Sequence, residues 1–577
     1  MPDFNTVTLE KTVRQFLPKA FFITDWDSLK PFFDQLLARP IHSLDDLLGW
    51  MKDCSELEAA VSEDACWRQI KMTCDTTDKD LEAAFNYFCL EIQPKMQPLA
   101  DALNRKLAAS PYTNELDHGL YHTFLRNVKK GIELYREENV PIQAEISVLQ
   151  QQYGAVAGAM SIILNDQEYT LQQASKFLED SDRDLREIVY RKIQDRRAID
   201  KDVLNDLYSV LIEKRHQVAL HAGFDNYRDY RFKELGRFDY TEEDCFQFHQ
   251  SVKEHVLPIA NTIYEDKKQY LALSDFRPWD TEAEKKEVTP LRPFTDGAEL
   301  LTKSIKCFEK LNPFFADCLR QMEKMGHLDL DSRKGKAPGG YNCPLAESGA
   351  PFIFMNAAGQ MHDVTTMVHE GGHAIQSFLC HTLELTAFKD YPMEIAEVAS
   401  MAMELFSMEY WESFFDNKDE LVRAKIHQLE RVITIFPWIA TIDKFQHWVY
   451  EHPHHTPDER EVNWLKILTE FSTDSIDYSG LEKYRSISWQ RQLHLYEVPF
   501  YYIEYGIAQL GAIGLWKQFK EDKEAALNNY INALKLGGTK TLPELYAAAG
   551  LKFDFSPAHI KTLMDFVWGE IKALKSV

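Results

Sequence analysis

The segment TTMVHEGGHAIQSF, residues 365–378, places His369 and His373 four residues apart, with Glu370 after the first and Gly371 and Gly372 between them. Positions i and i+4 of a helix share one face, so both imidazoles can address a single cation. Glu370 lies about 100° further round and can reach a water on that cation without ligating it. Two His ligands and a Glu base on one helix are the zincin arrangement. Val364, Met367, Val368, Ala374, Ile375 and Phe378 form an apolar stripe, and Asp363 is the expected N-cap. Each glycine costs about 1 kcal/mol relative to alanine in a helix interior, so the pair calls for a reason. The expected reason is close approach by substrate or by a neighbouring helix.

A catalytic zinc takes three protein ligands and a water. The segment YPMEIAEVASMAMELFSMEYW, residues 391–411, supplies candidates for the third. Pro392 suits a first helical turn. The helix that follows is apolar nearly all round except for Glu394, Glu397, Ser400 and Glu404. At 100° per residue, the last three fall within about 60° of one another. A buried acidic stripe needs a positive partner. A metal with two imidazoles is one, and pairing with Arg or Lys elsewhere is the other. The first predicts Glu397 as third ligand and Glu404 as acceptor of an imidazole N–H, that of His373.

His369-Glu370-Gly371-Gly372-His373 followed by AEVASMAME resembles the thimet-oligopeptidase-type zinc peptidases, nearest to oligoendopeptidase F. Glu397, Ser400 and Glu404 match that family's second helix in order and spacing, and Glu394 does not. HDVTTMVHEGGHA, with Asp363, resembles the approach to the motif. The likeness runs through roughly the last 380 residues and more weakly into the N-terminal helices. It implies one Zn2+ and a mainly α fold: an elongated helical shell around a deep substrate channel, with a short sheet near the active site. It also implies a His and Tyr cluster that binds the substrate carbonyl and the tetrahedral intermediate. HLYEVPFYYIEYGIAQ, residues 494–509, resembles that cluster. Catalytic roles then pass to Tyr505, Tyr501 and His494, with Tyr502 as a substrate contact. If Pro499 starts a helix, Tyr501 and Tyr505 share a face. The bland alternative is that these aromatics fill a core.

The rest of the chain sets bounds. Its 577 residues carry 35 Phe, 25 Tyr and 11 Trp, enough for a large core. The formal charge of −25 repels phosphate backbones, so no nucleic-acid partner is expected. Nine scattered cysteines without a CxxC suit a reducing cytosol, so a cytoplasmic location is expected. The opening MPDFNTVTLEKTVRQFLPKAFF shows no apolar leader, and no run of about 20 apolar residues occurs, so neither signal peptide nor membrane span is expected.

Amphipathic patterns such as DDLLGWMKDCSELEAAV and DRDLREIVYRKIQDRR predict helices. GAMSIILNDQEYTL predicts a hairpin about Asn165–Asp166. APFIFMNAAG, residues 350–359, predicts a strand, either buried or offering an edge to an extended peptide. Residues 274–297 read as a long surface connection, and RKGKAPGGYN, residues 333–342, as a basic loop. His452, His454 and His455 form a rival metal cluster on an exposed loop, where ligands would be poorly held. A boundary near residue 190 separates an N-terminal helical domain, 1–190, forming channel wall or lid, from a catalytic domain, 191–577. The expected function is zinc-dependent endopeptidase cleavage of oligopeptides. A zinc carboxypeptidase of related fold and a non-catalytic peptide-binding protein are the alternatives.

Overall fold

The motif segment lies in the helix Met361–Cys380, here the motif helix. The computed structural model describes residues 14–333 and 335–576; the start of the stretch read for a leader, and Lys334 of the basic loop, lie outside the described residues. Val364, Met367, Val368, Ala374 and Ile375 are fully buried, as the stripe requires. Gln360, not Asp363, is the N-cap. Asp363 stands three residues in and accepts the N–H groups of Ala358 at 2.8 Å and Gln360 at 2.9 Å. A carboxylate there satisfies the donors of the strand-to-helix turn. Its bonds are to that turn and not to either motif histidine.

The acidic stripe lies on the helix Met393–Met408, here the acidic helix, with Pro392 as its N-cap. It is buried on all sides, including Glu394, Glu397 and Ser400. The fold is mainly α, and among the described residues it holds five strands. Strands β1 (Ser161–Leu164) and β2 (Gln167–Thr170) form the expected antiparallel hairpin. Asn165 and Asp166 both take positive φ, the conformation a two-residue hairpin turn demands.

Strands β3 (Leu328–Asp331), β4 (Tyr341–Cys343) and β5 (Phe352–Ala357) make the second sheet, in the order β3-β5-β4. β5 is parallel to β3 and antiparallel to β4, and every residue of it is buried. Of the two readings of this segment, the buried strand is the one found: β5 is central, and the edges belong to β3 and β4. The basic loop serves this sheet. Lys336 is buried, donates to Asp329 Oδ1 at 2.8 Å and to Asp331 O at 3.0 Å, and sits over the Phe354 ring.

The main apolar core runs from Leu134 to Ile571, and a second cluster gathers Leu17 to Val128 with Leu385 and Phe388. Residue 190 falls inside the helix Arg183–Ile199. The stretch 274–297 is anchored rather than merely superficial. Phe276, Trp279 and Asp280 are buried, and Asp280 pairs with Arg183 at 2.8 Å and Arg186 at 2.7 Å. Its charged composition concealed an ion pair that fixes its middle.

The two glycines are explained by neighbouring elements. A Cβ on Gly372 would lie 2.6 Å from Ala399 O and from Ser400 Cα, both backbone atoms of the acidic helix. One on Gly371 would lie 2.8 Å from the Phe308 ring. Gly372→Ala is therefore expected to destabilise by about 1–3 kcal/mol through overpacking, despite alanine's better helix propensity. Gly49, in the helix Leu44–Cys74, has nothing within 4 Å of such a Cβ. Gly49→Ala should add about 0.5–1 kcal/mol. Urea midpoints test both, and an unchanged or raised midpoint for Gly372→Ala contradicts the packing account.

Candidate active site

Close contact at Gly372 brings the acidic stripe against the motif histidines. Gly372 meets Ala399–Ser400, His373 faces Glu397 and His369 reaches Glu404, so the two helices run antiparallel across the contact. Glu397 Oε2 lies 3.3 Å from His369 Nε2 and 3.6 Å from His373 Nε2. Ligand atoms about 2.0–2.1 Å from a tetrahedral zinc stand roughly 3.3–3.4 Å apart, so the spacing fits a small divalent cation with little adjustment. The imidazole planes are inclined at 84°, and a nitrogen of each lies within 4.8 Å of the other and of a Glu397 oxygen.

The imidazole held by Glu404 is that of His369, at 2.7 Å from Nδ1 to Oε1. The expectation of His373 is corrected by the antiparallel crossing: moving along the acidic helix from Glu397 to Glu404 leads back toward the start of the motif helix. This bond keeps a proton on Nδ1, so Nε2, which faces Glu397, is the nitrogen that would turn to a metal once its own proton is displaced. Glu404 is held in turn. Its Oε2 accepts from Gln428 Nε2 at 2.8 Å, and Gln428 Oε1 accepts from Thr365 at 3.0 Å. Gln428 comes from the helix Lys418–Glu451, here the long helix. Glu397 is braced by Ser400 Oγ at 3.1 Å and by the Tyr501 hydroxyl.

Electrostatics follow from burial. Burial alone would raise the Glu397 carboxyl, but His373, His369 and Tyr501 outweigh it and hold it at about 2. Burial opposes charge on His369, yet Glu397 and Glu404 carry that imidazole well above its ordinary value. Burial pushes His373 down to about 4, which leaves a neutral imidazole fit to ligate. Burial raises Glu370 to about 7, with Glu397 and Glu404 adding to the rise. Glu370 Oε2 is buried with no hydrogen-bond partner, beside the histidines it does not bind. A carboxyl poised near neutrality and free to take a proton is suited to general-base work.

The aromatic cluster closes the other side. Tyr502 begins the helix Tyr502–Glu521, with Tyr501 as its N-cap, so Pro499 lies in the preceding turn rather than starting the helix. Phe500 in that turn has φ +65°. Tyr501 and Tyr505 do share a face, their ring centroids 5.3 Å apart. Tyr501 spends its hydroxyl on Glu397, while Tyr505 Oη lies 3.2 Å from His494 Nε2.

A chain of donors fixes that second contact. Trp438 Nε1 can only donate, and it reaches Gln492 Oε1 at 2.9 Å. The amide nitrogen of Gln492 therefore faces His494 Nδ1, at 2.6 Å, and donates to it. His494, held down to about 4 by burial, is a neutral imidazole with its proton on Nε2. It donates to Tyr505, whose own hydrogen stays free to point into the site. Burial keeps Tyr505 a phenol, its pKa well above the usual value. Tyr502 packs its ring 5.0 Å from that of His494.

Glu394 and Glu504 take no part in the cluster. Tyr240 donates to Glu394 at 2.7 Å, and Arg237 pairs with Glu504 at 2.9 Å. His452 and His455 bind backbone carbonyls, and Arg460 donates to His455 at 2.8 Å. Among the described residues, the groups with metal-ligand spacing are His369, His373 and Glu397, and a buried trio elsewhere. Thr365, Gln428, Gln492 and Trp438 escaped the sequence reading, because hydroxyl, amide and indole groups follow no spacing that marks their partners.

The model for Peptidase family M3 matches residues 176–565, and that for the Peptidase M3 N-terminal domain matches residues 16–135. An oligoendopeptidase F homolog of Borreliella burgdorferi is 22% identical over 82% of this chain and 82% of its own length. Oligopeptidase PepF of Bacillus subtilis is 23% identical over 67% of this chain and 57% of its own. A solved structure described as PZ peptidase A with inhibitor 2 superposes with a TM-score of 0.90 at 28% identity, covering 95% of this chain and 97% of that one. Oligoendopeptidase-F from Enterococcus faecium shares the fold with a TM-score of 0.64 at 15% identity, over 96% of this chain and 97% of its own. With the family match spanning most of its length, the chain belongs to peptidase family M3, in the oligoendopeptidase F branch, and is a metalloendopeptidase.

Proposed function

We propose that the protein is a zinc-dependent endopeptidase that hydrolyses internal bonds of short oligopeptides. The observation that carries this reading is the convergence of His369, His373 and Glu397 beside the unpartnered, buried carboxylate of Glu370. A single Zn2+ held by those three side chains would supply a water of pKa about 7 and polarise the scissile carbonyl.

The chain's own groups do the rest. Glu370 removes a proton from the attacking water and passes it to the leaving amine. Tyr505 donates its free hydroxyl hydrogen to the oxygen on which negative charge develops. His494 keeps the phenol oriented by donating to its oxygen. Tyr501 and Ser400 hold Glu397 in place, and Glu404 sets the tautomer of His369. β4, at the sheet edge next to the motif helix, offers backbone groups to an extended peptide, and Tyr502, packed on His494, is a further substrate contact. A deep channel between helices would admit short peptides and exclude folded proteins, and the oligopeptidase names of the relatives agree with that substrate class.

We place this activity in the cytoplasm. All nine cysteines are free, and among the described residues no helix is long and apolar enough to cross a membrane. The charge of −25 disfavours a nucleic-acid partner.

Glu370→Gln should lower kcat/KM by about 10²–10⁴ while bound metal stays at the wild-type level. Retained activity in a clean preparation contradicts the base assignment. Tyr505→Phe should cost about 10²–10³ in kcat with KM little changed. A loss confined to KM would make Tyr505 a binding contact only. A peptide blocked at both ends should be cut internally, as mass spectrometry of the fragments reports. Failure on blocked peptides, with release of C-terminal residues from free ones, would favour a carboxypeptidase. Absence of cleavage with and without added zinc would favour a binding protein.

A further inference from the structure

The second buried trio lies apart from the motif histidines and plays no part in the mechanism above. Cys245 and His249 stand four residues apart on the helix Glu242–Ser251. Asp443 and His447 stand four apart on the long helix. Each pair therefore shares a helix face, and the two faces meet. Cys245 is 1% exposed, His249 3%, Asp443 0% and His447 2%. The Cys245 thiol, an Asp443 oxygen and a His447 ring nitrogen all lie within 4.8 Å of one another. His249 Nε2 bonds Asp443 Oδ2 at 2.8 Å, and His447 Nε2 stands 3.4 Å from the same oxygen. The surroundings are aromatic: Phe232, Phe246 and Phe500 pack on His447, and Phe471 packs on His249.

Hydrogen bonding leaves this chamber incomplete. Asp443 Oδ1, both ring nitrogens of His447 and His249 Nδ1 are buried without a hydrogen-bond partner. Native interiors leave few such atoms, and here they crowd one apolar space. Asp443 Oδ2 takes both the His249 bond and the 3.4 Å approach of His447 Nε2, while Oδ1 and His447 Nδ1 are left over. A divalent cation answers both the geometry and the charge. One thiolate and one carboxylate neutralise it, and a neutral imidazole adds a third donor. Sulfur, nitrogen and oxygen donors in one closed site suit zinc.

We propose that Cys245, Asp443 and His447 bind a second zinc-type cation, with the His249 N–H holding the Asp443 carboxylate. Binding exchanges the thiol proton for the metal and releases that proton to solvent. The fourth position goes to a small donor such as water. Because the site is enclosed, its role is structural. The long helix carries Gln446, whose Oε1 accepts the Phe500 N–H at 2.6 Å. His447 packs its ring 5.3 Å from that of Phe500. Cross-linking the two helices there steadies the positive-φ turn that delivers Tyr501 and Tyr505.

The test uses full-length protein loaded with Zn2+ and then, after exchange, with Co2+. Elemental analysis should find two metal ions per chain, and one in the His369→Ala/His373→Ala variant. The cobalt protein should show a thiolate-to-metal charge-transfer band in the near ultraviolet. The motif centre, which has no sulfur ligand, cannot produce that band. The band should persist in His369→Ala/His373→Ala and vanish in Cys245→Ser. One ion per chain and no thiolate band in the wild-type protein would overturn the proposal, whether or not the variants fold. A band that survives Cys245→Ser would assign the sulfur to another cysteine and overturn it as well. A single ion lost with the motif histidines would leave the catalytic reading intact while removing this one.

Discussion

Everything at the candidate active site depends on how closely two helices approach each other. Gly372 has no side chain, and the backbone of Ala399–Ser400 fills the space one would occupy. That approach puts Glu397 between His369 and His373. A larger residue would hold the helices apart and pull Glu397 away from the two imidazoles. The conformational cost of a glycine inside a helix is thus tied to the distance that brings Glu397 to the two imidazoles.

The same contact settles the charge problem of a buried acidic stripe. Glu397 faces two imidazoles, and Glu404 is satisfied by His369 and Gln428. Without such partners these carboxylates would be severely penalised in an apolar helix interface. Each side chain of the proposed centre is held by one further out. Glu404 fixes His369, Tyr501 fixes Glu397, and Gln492, oriented by Trp438, fixes His494. Such supports hold a site to the sub-ångström tolerance that catalysis demands.

Much of this was legible in the sequence because it follows helical periodicity. His369 and His373 at i, i+4, the recurrence of Glu397, Ser400 and Glu404, and Tyr501 with Tyr505 all share faces as the spacing requires. Asn165–Asp166, set between two apolar flanks, announced its hairpin. Properties set by the crossing of distant elements were not legible. The partner of Glu404 depends on the relative direction of two helices, which spacing does not encode. Whether β5 is central or at an edge depends on β4 arriving from the loop before it. Phe276, Trp279 and Asp280 looked like part of a charged loop because Arg183 and Arg186 lie about ninety residues away. Cys245 and Asp443 were passed over for the same reason, since neither helix alone carries a recognisable ligand set.

The account's central claim is that His369, His373 and Glu397 hold a metal ion in the geometry of a hydrolytic centre. Crystallography on zinc-loaded protein, with anomalous data collected on both sides of the zinc absorption edge, tests it most directly. The account predicts an anomalous peak about 2.0–2.2 Å from a nitrogen of each histidine and an oxygen of Glu397, with Glu370 outside bonding distance of the ion. Density showing the three side chains bonded only to one another, with no anomalous signal between them at saturating zinc, would contradict it.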